Sequence, residues 1–281
     1  MKICAITQVY NESFNLPIWI RHYRKQIPGV DLLVVDDGSD DGSVAAVAGD
    51  VSVMKLPRVP FDDGKRANFV SDLARNLFRY YDLVIYTDSD ELLIADPRRF
   101  ENLLAFFTAD EREAYTAIGL NLIHKLTTDA PLDLSVPILA QRRHVQFVSP
   151  MCKTSAVRRA VRWTGGFHGS TAQPSFGGLY LIHNRWVDVG QCLLRLRTTR
   201  GIVWKNAASS GHTTAEYRAV LKRFIELDDC PFRESEDFLF GPEIAKIVAG
   251  ITLQNDYYRI PQNVRPRAVF ALPDWIPTDI V

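Results

Sequence analysis

The sequence predicts an α/β fold built on a mostly parallel sheet covered by helices on both faces. Short apolar runs alternate with segments of helical period from Ile3 to Phe107. Three of those runs end in polar clusters: Tyr10-Asn11-Glu12, Asp36-Asp37-Gly38-Ser39 and Asp88-Ser89-Asp90-Glu91. The composition is that of an ordinary globular chain, 47% hydrophobic and 23% charged over 281 residues. At roughly 150 residues per domain, the length implies one or two domains.

Each element has a local reason. Ile3 to Val9 is an apolar run of strand length. Asn15 to Ile27 reads as a helix, with Leu16, Ile20, Tyr23 and Ile27 on one side, Pro17 in the first turn and Pro28-Gly29 as the stop. Asp31 to Asp36 is a second strand, followed by an acidic, turn-rich loop. Ser43 to Ala48 is a short helix and Val51 to Leu56 a third strand. Lys65 to Tyr80 is helical, with Phe69, Leu73, Leu77 and Tyr80 aligned. Asp82 to Thr87 is a fourth strand, and Pro97 opens a helix to about Phe107. Later strands are expected at Tyr115 to Ile123, Arg142 to Val148, Lys153 to Arg159 and Leu179 to His183. Helices follow at Thr213 to Leu227 and Pro242 to Leu253, then an extended proline-containing tail. The chain divides into 1–115, 116–212 and 213–281, the first two being halves of one domain.

Charge and cysteine usage exclude several classes. Lys+Arg and Asp+Glu number 33 each, so the net charge is zero. That argues against a disordered tail protein and against a nucleic-acid binder. No apolar run approaches a membrane span, and the N-terminus lacks a signal peptide's apolar region. Cys4, Cys152, Cys192 and Cys230 are widely spaced without a C-x-x-C pair, which points to a reduced, cytoplasmic setting. The zero net charge hides an asymmetry. Segment 140–205 holds eleven basic residues against one acidic residue, Asp188, leaving +10 there and −10 elsewhere. It is either a face complementing the acidic remainder, or a surface for phosphate, an anionic glycan or a peripheral membrane contact.

Parallel strands place their carboxyl ends on one rim, where ligands of such sheets bind. The three polar clusters therefore converge. Asp88-x-Asp90 puts two like charges together, an arrangement a divalent cation relieves. Asp36 at a strand end can accept hydrogen bonds from a nucleobase or ribose. His183 closes an apolar strand as a neutral imidazole suited to Mn²⁺ beside carboxylates, or as a buried structural histidine. His168, in Gly165-Gly166-Phe167-His168-Gly169, and Asp188 are candidates for a general base. Lys153 and Arg158 could neutralise a diphosphate leaving group.

In this order and spacing the motifs resemble a GT-A fold glycosyltransferase of family two and the family-ninety-two-like group. The resemblance covers residues 1 to 100 well and 140 to 190 loosely. It implies a Rossmann-like, mostly parallel central sheet flanked by helices, with a mixed α+β acceptor-side C-terminal part. It implies a nucleotide-sugar donor and Mn²⁺ or Mg²⁺ bound through its diphosphate. Carried over, Gln8, Tyr10 and Asn11 would line the base pocket and Asp36 would face the nucleobase or ribose. Lys65 would lie near the nucleotide. Asp88, with Ser89 beside it, would contact the ribose or a metal-bound water, and Asp90 and His183 would ligate the metal. The implied reaction moves a hexose-type sugar, from a UDP-sugar by expectation and with inversion, to a hydroxyl of a glycan or lipid-linked acceptor. The implied location is the inner face of a membrane. The pair Glu236-Asp237 lies far later than the family's catalytic Glu-Asp. The alternatives are a non-catalytic glycan- or nucleotide-binding module and a sugar nucleotidyltransferase. The latter lacks its glycine-rich phosphate loop here.

Overall fold

The computed structural model describes residues 1–205, 216–234 and 237–281. In the first part, β1 (Ile3–Val9), α1 (Asn15–Gln26), β2 (Asp31–Asp36), β3 (Ser52–Lys55), α2 (Asp63–Leu77) and β4 (Leu83–Tyr86) succeed one another as the periodicity predicts. The helix expected at Ser43 to Ala48 is a single 3-10 turn, Ala45–Val47. β1 pairs in parallel with β2 and β4, and β2 with β3. The Asp62 side chain caps α2 by accepting from the Lys65 amide at 3.0 Å.

Beyond Tyr86 the chain departs from its local pattern. The acidic cluster is a turn leading straight into β5 (Glu91–Ala95). The helix expected from Pro97 starts only at Leu103, as α3 (Leu103–Ala109), capped by Asn102. The Asp96 carboxylate takes the Arg98 amide at 3.1 Å and its guanidinium at 2.6 Å, so the chain around Pro97 is held in a turn. The single strand expected at Tyr115 to Ile123 is two, β6 (Ala114–Thr116) and β7 (Ile118–Ile123), which enter different sheets. Then come α4 (Ile138–Gln141), β8 (His144–Phe147), β9 (Thr154–Val157), β10 (Gly169–Ser170) and β11 (Leu179–Trp186). No helix is expected where α5 (Val189–Arg200) forms. It is followed by α6 (Tyr217–Asp228), β12 (Phe232–Arg233), α7 (Gly241–Ala249), β13 (Thr252–Gln254), β14 (Tyr257–Arg259) and β15 (Val269–Ala271). The expected start of a helix at Thr213 lies outside the described residues, as does Glu236. The tail is not simply extended: β15 pairs with β8 and β12.

The described strands form three sheets, in orders β3-β2-β1-β4-β9-β6, β12-β15-β8-β7-β11-β5 and β10-β14-β13. In the first, β9 is antiparallel to β4 and β6. β9 thus brings residues 154–157 into the sheet of the N-terminal part, while β5 lies in the second sheet. A large core runs between the sheets and includes Trp19, Tyr23, Phe106, Tyr115, Phe147 and Tyr180. A second core, with Val70, Tyr86, Trp163 and Phe167, lies under α2.

α1 fixes the turn between β4 and β5. Trp19 Nε1 donates to Thr87 Oγ1 at 2.8 Å, and the Leu93 amide donates to the Tyr23 hydroxyl at 3.2 Å. His22 Nε2 donates to the Leu93 carbonyl at 2.7 Å. Both ends of the Asp88–Glu91 turn are thereby tied to one helix.

The basic segment is mostly consumed within the fold. Arg142 is buried and bonds the Val187 carbonyl, Arg143 bonds carbonyls of the tail, Arg158 bonds the Tyr115 hydroxyl, and Arg159 pairs with Glu113. Arg162 reaches Asp72 and Lys205 reaches Asp62. Among the described residues, no helix is long and apolar enough to cross a membrane.

Two predictions follow from this packing. A Cβ on Gly119 would lie 2.3 Å from the Met151 carbonyl carbon, so β7 has no room for a side chain there. Gly119→Ala should therefore lower stability by about 1–3 kcal/mol, read as an earlier urea midpoint. Burial lowers the His22 pKa from 6.5 to about 4. Between those values the unfolded chain takes up a proton that the folded chain refuses. Stability should therefore fall with pH across that window, by up to about 1.4 kcal/mol per unit. His168, also lowered to about 4 by burial, adds a second such contribution. In urea unfolding from pH 7 to 4.5, the loss of stability per pH unit should be smaller in His22→Gln than in wild type.

Candidate active site

The carboxyl ends of β1, β2 and β4 lie side by side, and their polar clusters join. Asn11 adopts a left-handed conformation, φ 54°, which asparagine tolerates. Its side chain clasps the loop after β2, donating to Asp40 Oδ1 at 2.7 Å and accepting from the Asp40 amide at 2.9 Å. The Ser39 amide donates to Asp36 Oδ1 at 2.8 Å. Tyr10 lies under the Arg58 guanidinium, 3.7 Å from ring centre to carbon, and Arg58 pairs with Asp37 at 2.5 Å.

The centre is a buried charge cluster. Asp88 pairs with Arg66 at 3.0 Å and with Lys153 at 3.5 Å. Lys153 also pairs with Glu91 at 2.5 Å. Arg195, from α5, bridges Asp90 and Glu12, the latter at 2.9 Å. Glu12, Asp88, Asp90 and Glu91 thus meet Arg66, Lys153 and Arg195. Four carboxylates against three cations leave one negative charge if His183 is neutral. Burial opposes ionisation of Asp90, but Arg195 and His183 outweigh it and hold that carboxyl well below its usual range. Burial likewise opposes the Lys153 ammonium, but Glu91 and Asp88 outweigh it and raise its pKa. Burial pushes the Glu12 carboxyl up, against the pull of Arg195.

The donor set fits a divalent metal. Ligand atoms of Asp90, Glu91 and His183 lie within 4.8 Å of one another. His183 Nδ1 sits 2.7 Å from Asn121 Oδ1 and donates to it, which leaves Nε2 facing Asp90 Oδ2 at 3.3 Å. Two lone pairs that close repel unless a proton or a cation lies between them, and Asn121 is the kind of outer partner that orients a histidine ligand.

Two cavities border the cluster, each sharing a cation with it. One, of about 140 Å³, is lined by Gln8, Asp37, Phe61, Lys65, Arg66 and Phe69. Gln8 Oε1 is buried without a partner, and Lys65 is exposed at the rim. The other, of about 550 Å³, lies between the β1–α1 connection and α5 and includes Glu12 and Arg195.

The chain's N-terminal strand order, parallel β3-β2-β1-β4 continued by antiparallel β9, carries its acidic cluster directly after β4. The chain is 34% identical over 94 residues to the undecaprenyl-phosphate mannosyltransferase of Micrococcus luteus, a stretch that is 32% of this chain and 38% of that relative. The fold is mixed α/β, with a parallel four-stranded core continued by antiparallel strands. The chain spans well under half the length of that relative. No protein-family model matches it. Residues 1–349 of S. aureus TarS superpose over 80% of this chain and 71% of that one, with TM-score 0.40 and 15% identity. Glucosyl-3-phosphoglycerate synthase of Mycobacterium tuberculosis superposes over 32% of this chain and 34% of that one, with TM-score 0.24 and 27% identity.

Within this arrangement, Asp88, Asp90, Lys153 and His183 come together, with Ser89 buried between the aspartates. Gln8 and Lys65 share the smaller cavity, while Asp36 and Asn11 brace the neighbouring loop. The two base candidates are placed apart. His168 Nδ1 bonds the Pro150 carbonyl at 2.9 Å, and the ring packs against Gly166 in a small crevice. Asp188 borders the larger cavity as the cap of α5. It accepts from the amides of Gln191 at 3.0 Å and Leu132 at 3.2 Å, and pairs with Arg142 at 3.4 Å. Three residues escape the sequence reading as site residues: Arg66, Arg195 and Asn121. Arg66 follows Lys65, and only the orientation of α2 shows which of the two faces the cluster.

Asp188→Ala should remove the cap and leave Arg142, which is 1% exposed, without its carboxylate. The expected loss of stability is about 3–5 kcal/mol, read by urea unfolding. A fall in activity without a fall in stability would instead mark Asp188 as part of the chemistry.

Proposed function

We propose that the chain is a metal-dependent glycosyltransferase that moves a sugar from a nucleoside diphosphate donor to a hydroxyl acceptor. The carrying observation is the group of buried Asp90 and Glu91 with half-buried His183, in a charge cluster whose Arg66 and Arg195 each line a cavity. The limited sequence similarity to a mannosyltransferase supports the same reaction class. The smaller cavity suits a nucleobase, which Gln8 Oε1 and the Asp37 carboxylate would meet as acceptors. Lys65 and Arg66 would face the phosphates. Asp90 and His183 would hold Mn²⁺ or Mg²⁺, which when bound offsets charge developing on the departing diphosphate. Lys153 and Arg66 hold Asp88 and Glu91 in place and add positive charge on the donor side. A UDP-sugar is the first donor to test, and the larger cavity is the place for a glycan or lipid-linked acceptor.

One observation favours a second reading. Every carboxylate of the cluster already has a cationic partner, so Arg195 and Lys153 could serve without a metal.

Thermal unfolding with UDP, GDP, CDP and ADP, with and without Mn²⁺, separates these readings. A ligand at about 100 times its Kd adds roughly 2.7 kcal/mol, or about 5–10 °C for a chain of this size. The expected result is a shift with one diphosphate that requires Mn²⁺ and is lost in Asp90→Ala. A shift that ignores Mn²⁺ but is lost in Arg195→Gln would establish the metal-free reading. No shift with any diphosphate would overturn the donor site.

A further inference from the structure

The larger cavity contains donors that no described residue satisfies. Asn184 is 4% exposed, and neither its Nδ2 nor its Oδ1 has a hydrogen-bond partner. Arg195 Nε is likewise buried without an acceptor, although its two terminal nitrogens serve Asp90 and Glu12. Arg185 makes no hydrogen bond or ion pair with a described residue. Its guanidinium carbon lies 5.7 Å from the centre of the Trp186 ring. All three residues line the same cavity, of about 550 Å³.

This convergence has a local cause. β11 pairs with β7 in register up to His183 and then shifts before Trp186. An irregularity of that kind re-aims side chains, and here Asn184 and Arg185 both reach the cavity beside His183. The Asn184 amide donates to the Asp90 carbonyl at 2.8 Å, so the cavity's donors are tied to the carboxylate cluster.

The cavity's carboxylates already have partners. Of its acidic residues, Glu12 is held by Arg195 and Asp188 by Arg142. Asp40 is bonded by the Asn11 amide group. Arg197 is a further lining cation with no hydrogen bond or ion pair to a described residue. A buried donor left unmade is expensive. An anion would accept from Asn184 Nδ2, Arg185 and Arg195 Nε at once.

We propose that this cavity binds a phosphate group carried by the acceptor, held by Asn184, Arg185 and Arg195 Nε. The proposal rests on reading the adjoining cluster as the donor site, since that places the acceptor here. Asn184 Nδ2 and the Arg185 fork donate to the phosphate oxygens. The acceptor hydroxyl then lies toward Asp90 and His183.

The test uses glycerol phosphate as a soluble phosphomonoester. Phosphatidylcholine vesicles with and without phosphatidic acid supply the lipid-borne form. Calorimetric titration of the full chain should show saturable glycerol phosphate binding, or vesicle pelleting should depend on phosphatidic acid. The first result identifies a soluble phosphorylated acceptor and the second a lipid phosphate. Arg185→Gln should weaken whichever binding is seen by at least about tenfold, as expected for a lost charge-assisted hydrogen bond. UDP and Mn²⁺ binding should be unchanged in that variant. Asn184→Leu guards against a misfolded variant. It removes two unpartnered polar atoms, so it should retain or raise the melting temperature while still weakening phosphate binding. Absence of saturable binding to both probes, or equal binding by wild type and Arg185→Gln, overturns the proposal. Arg185-dependent phosphate binding without nucleotide binding would sink the donor reading and leave this site standing. Nucleotide binding without phosphate binding does the reverse.

Discussion

Gathering four carboxylates at the carboxyl ends of β1 and β4, two of them buried, is the constraint around which this molecule is arranged. Unpaired, Glu12, Asp88, Asp90 and Glu91 could not stay ionised in so dry a place. Their counter-charges come from three separate regions: Arg66 from α2, Lys153 from the approach to β9, and Arg195 from α5. The docking of those elements is therefore also the neutralisation of the cluster. The supports behind it are apolar and hydrogen-bonded. α1 holds both ends of the acidic turn through Trp19, His22 and Tyr23, and Asn121 on β7 orients His183. Charge sets which elements must meet, and packing sets where.

The same balance explains the basic segment. Its excess charge is met by acids from elsewhere in the chain, as with Arg159 and Glu113, Lys153 and Glu91, or Lys205 and Asp62. The sequence-level asymmetry is a ledger of contacts between distant parts rather than a separate surface. Among the described residues of that segment, Arg185, Arg197 and Arg200 are without a hydrogen bond or ion pair, and all lie on or beside α5. Arg200 rests on the Tyr217 ring.

What could be read from the sequence was whatever local pattern encodes. Apolar runs ending in Asn11, Asp36 and Asp88 marked three parallel strands, and the parallel rule placed their ends together. β5 was hidden because Glu91 looks like part of an acidic loop and Pro97 looks like a helix start. Only the Asp96 side chain, binding its own neighbours, shows otherwise. α5 was hidden because Val189 to Arg200 mixes leucines and arginines without one clean apolar stripe. It buries only Cys192 and Leu196. Arg195 was countable as a basic residue, but its role depends on Glu12 and Asp90, which lie far away in sequence. Pairings across such distances leave no periodic trace. The break at Ala117 is of the same kind: a strand of uniform apolar character changes sheets because its amide meets Lys153 from another layer.

The chain crosses between its two large sheets repeatedly: from β4 to β5, from β6 to β7, and back from β8 to β9. Neither sheet is a contiguous stretch of polypeptide. β4 cannot complete its hydrogen bonding until β9 returns from a segment some seventy residues later. Such interleaving raises the mean sequence separation of contacts and slows the search for the native arrangement. It also means that neither half can be cut away as an autonomous module. A newly synthesised N-terminal part would expose one unpaired flank of β4 until the later strands emerged. The acidic turn would wait over the same interval for Lys153 and Arg195 to arrive.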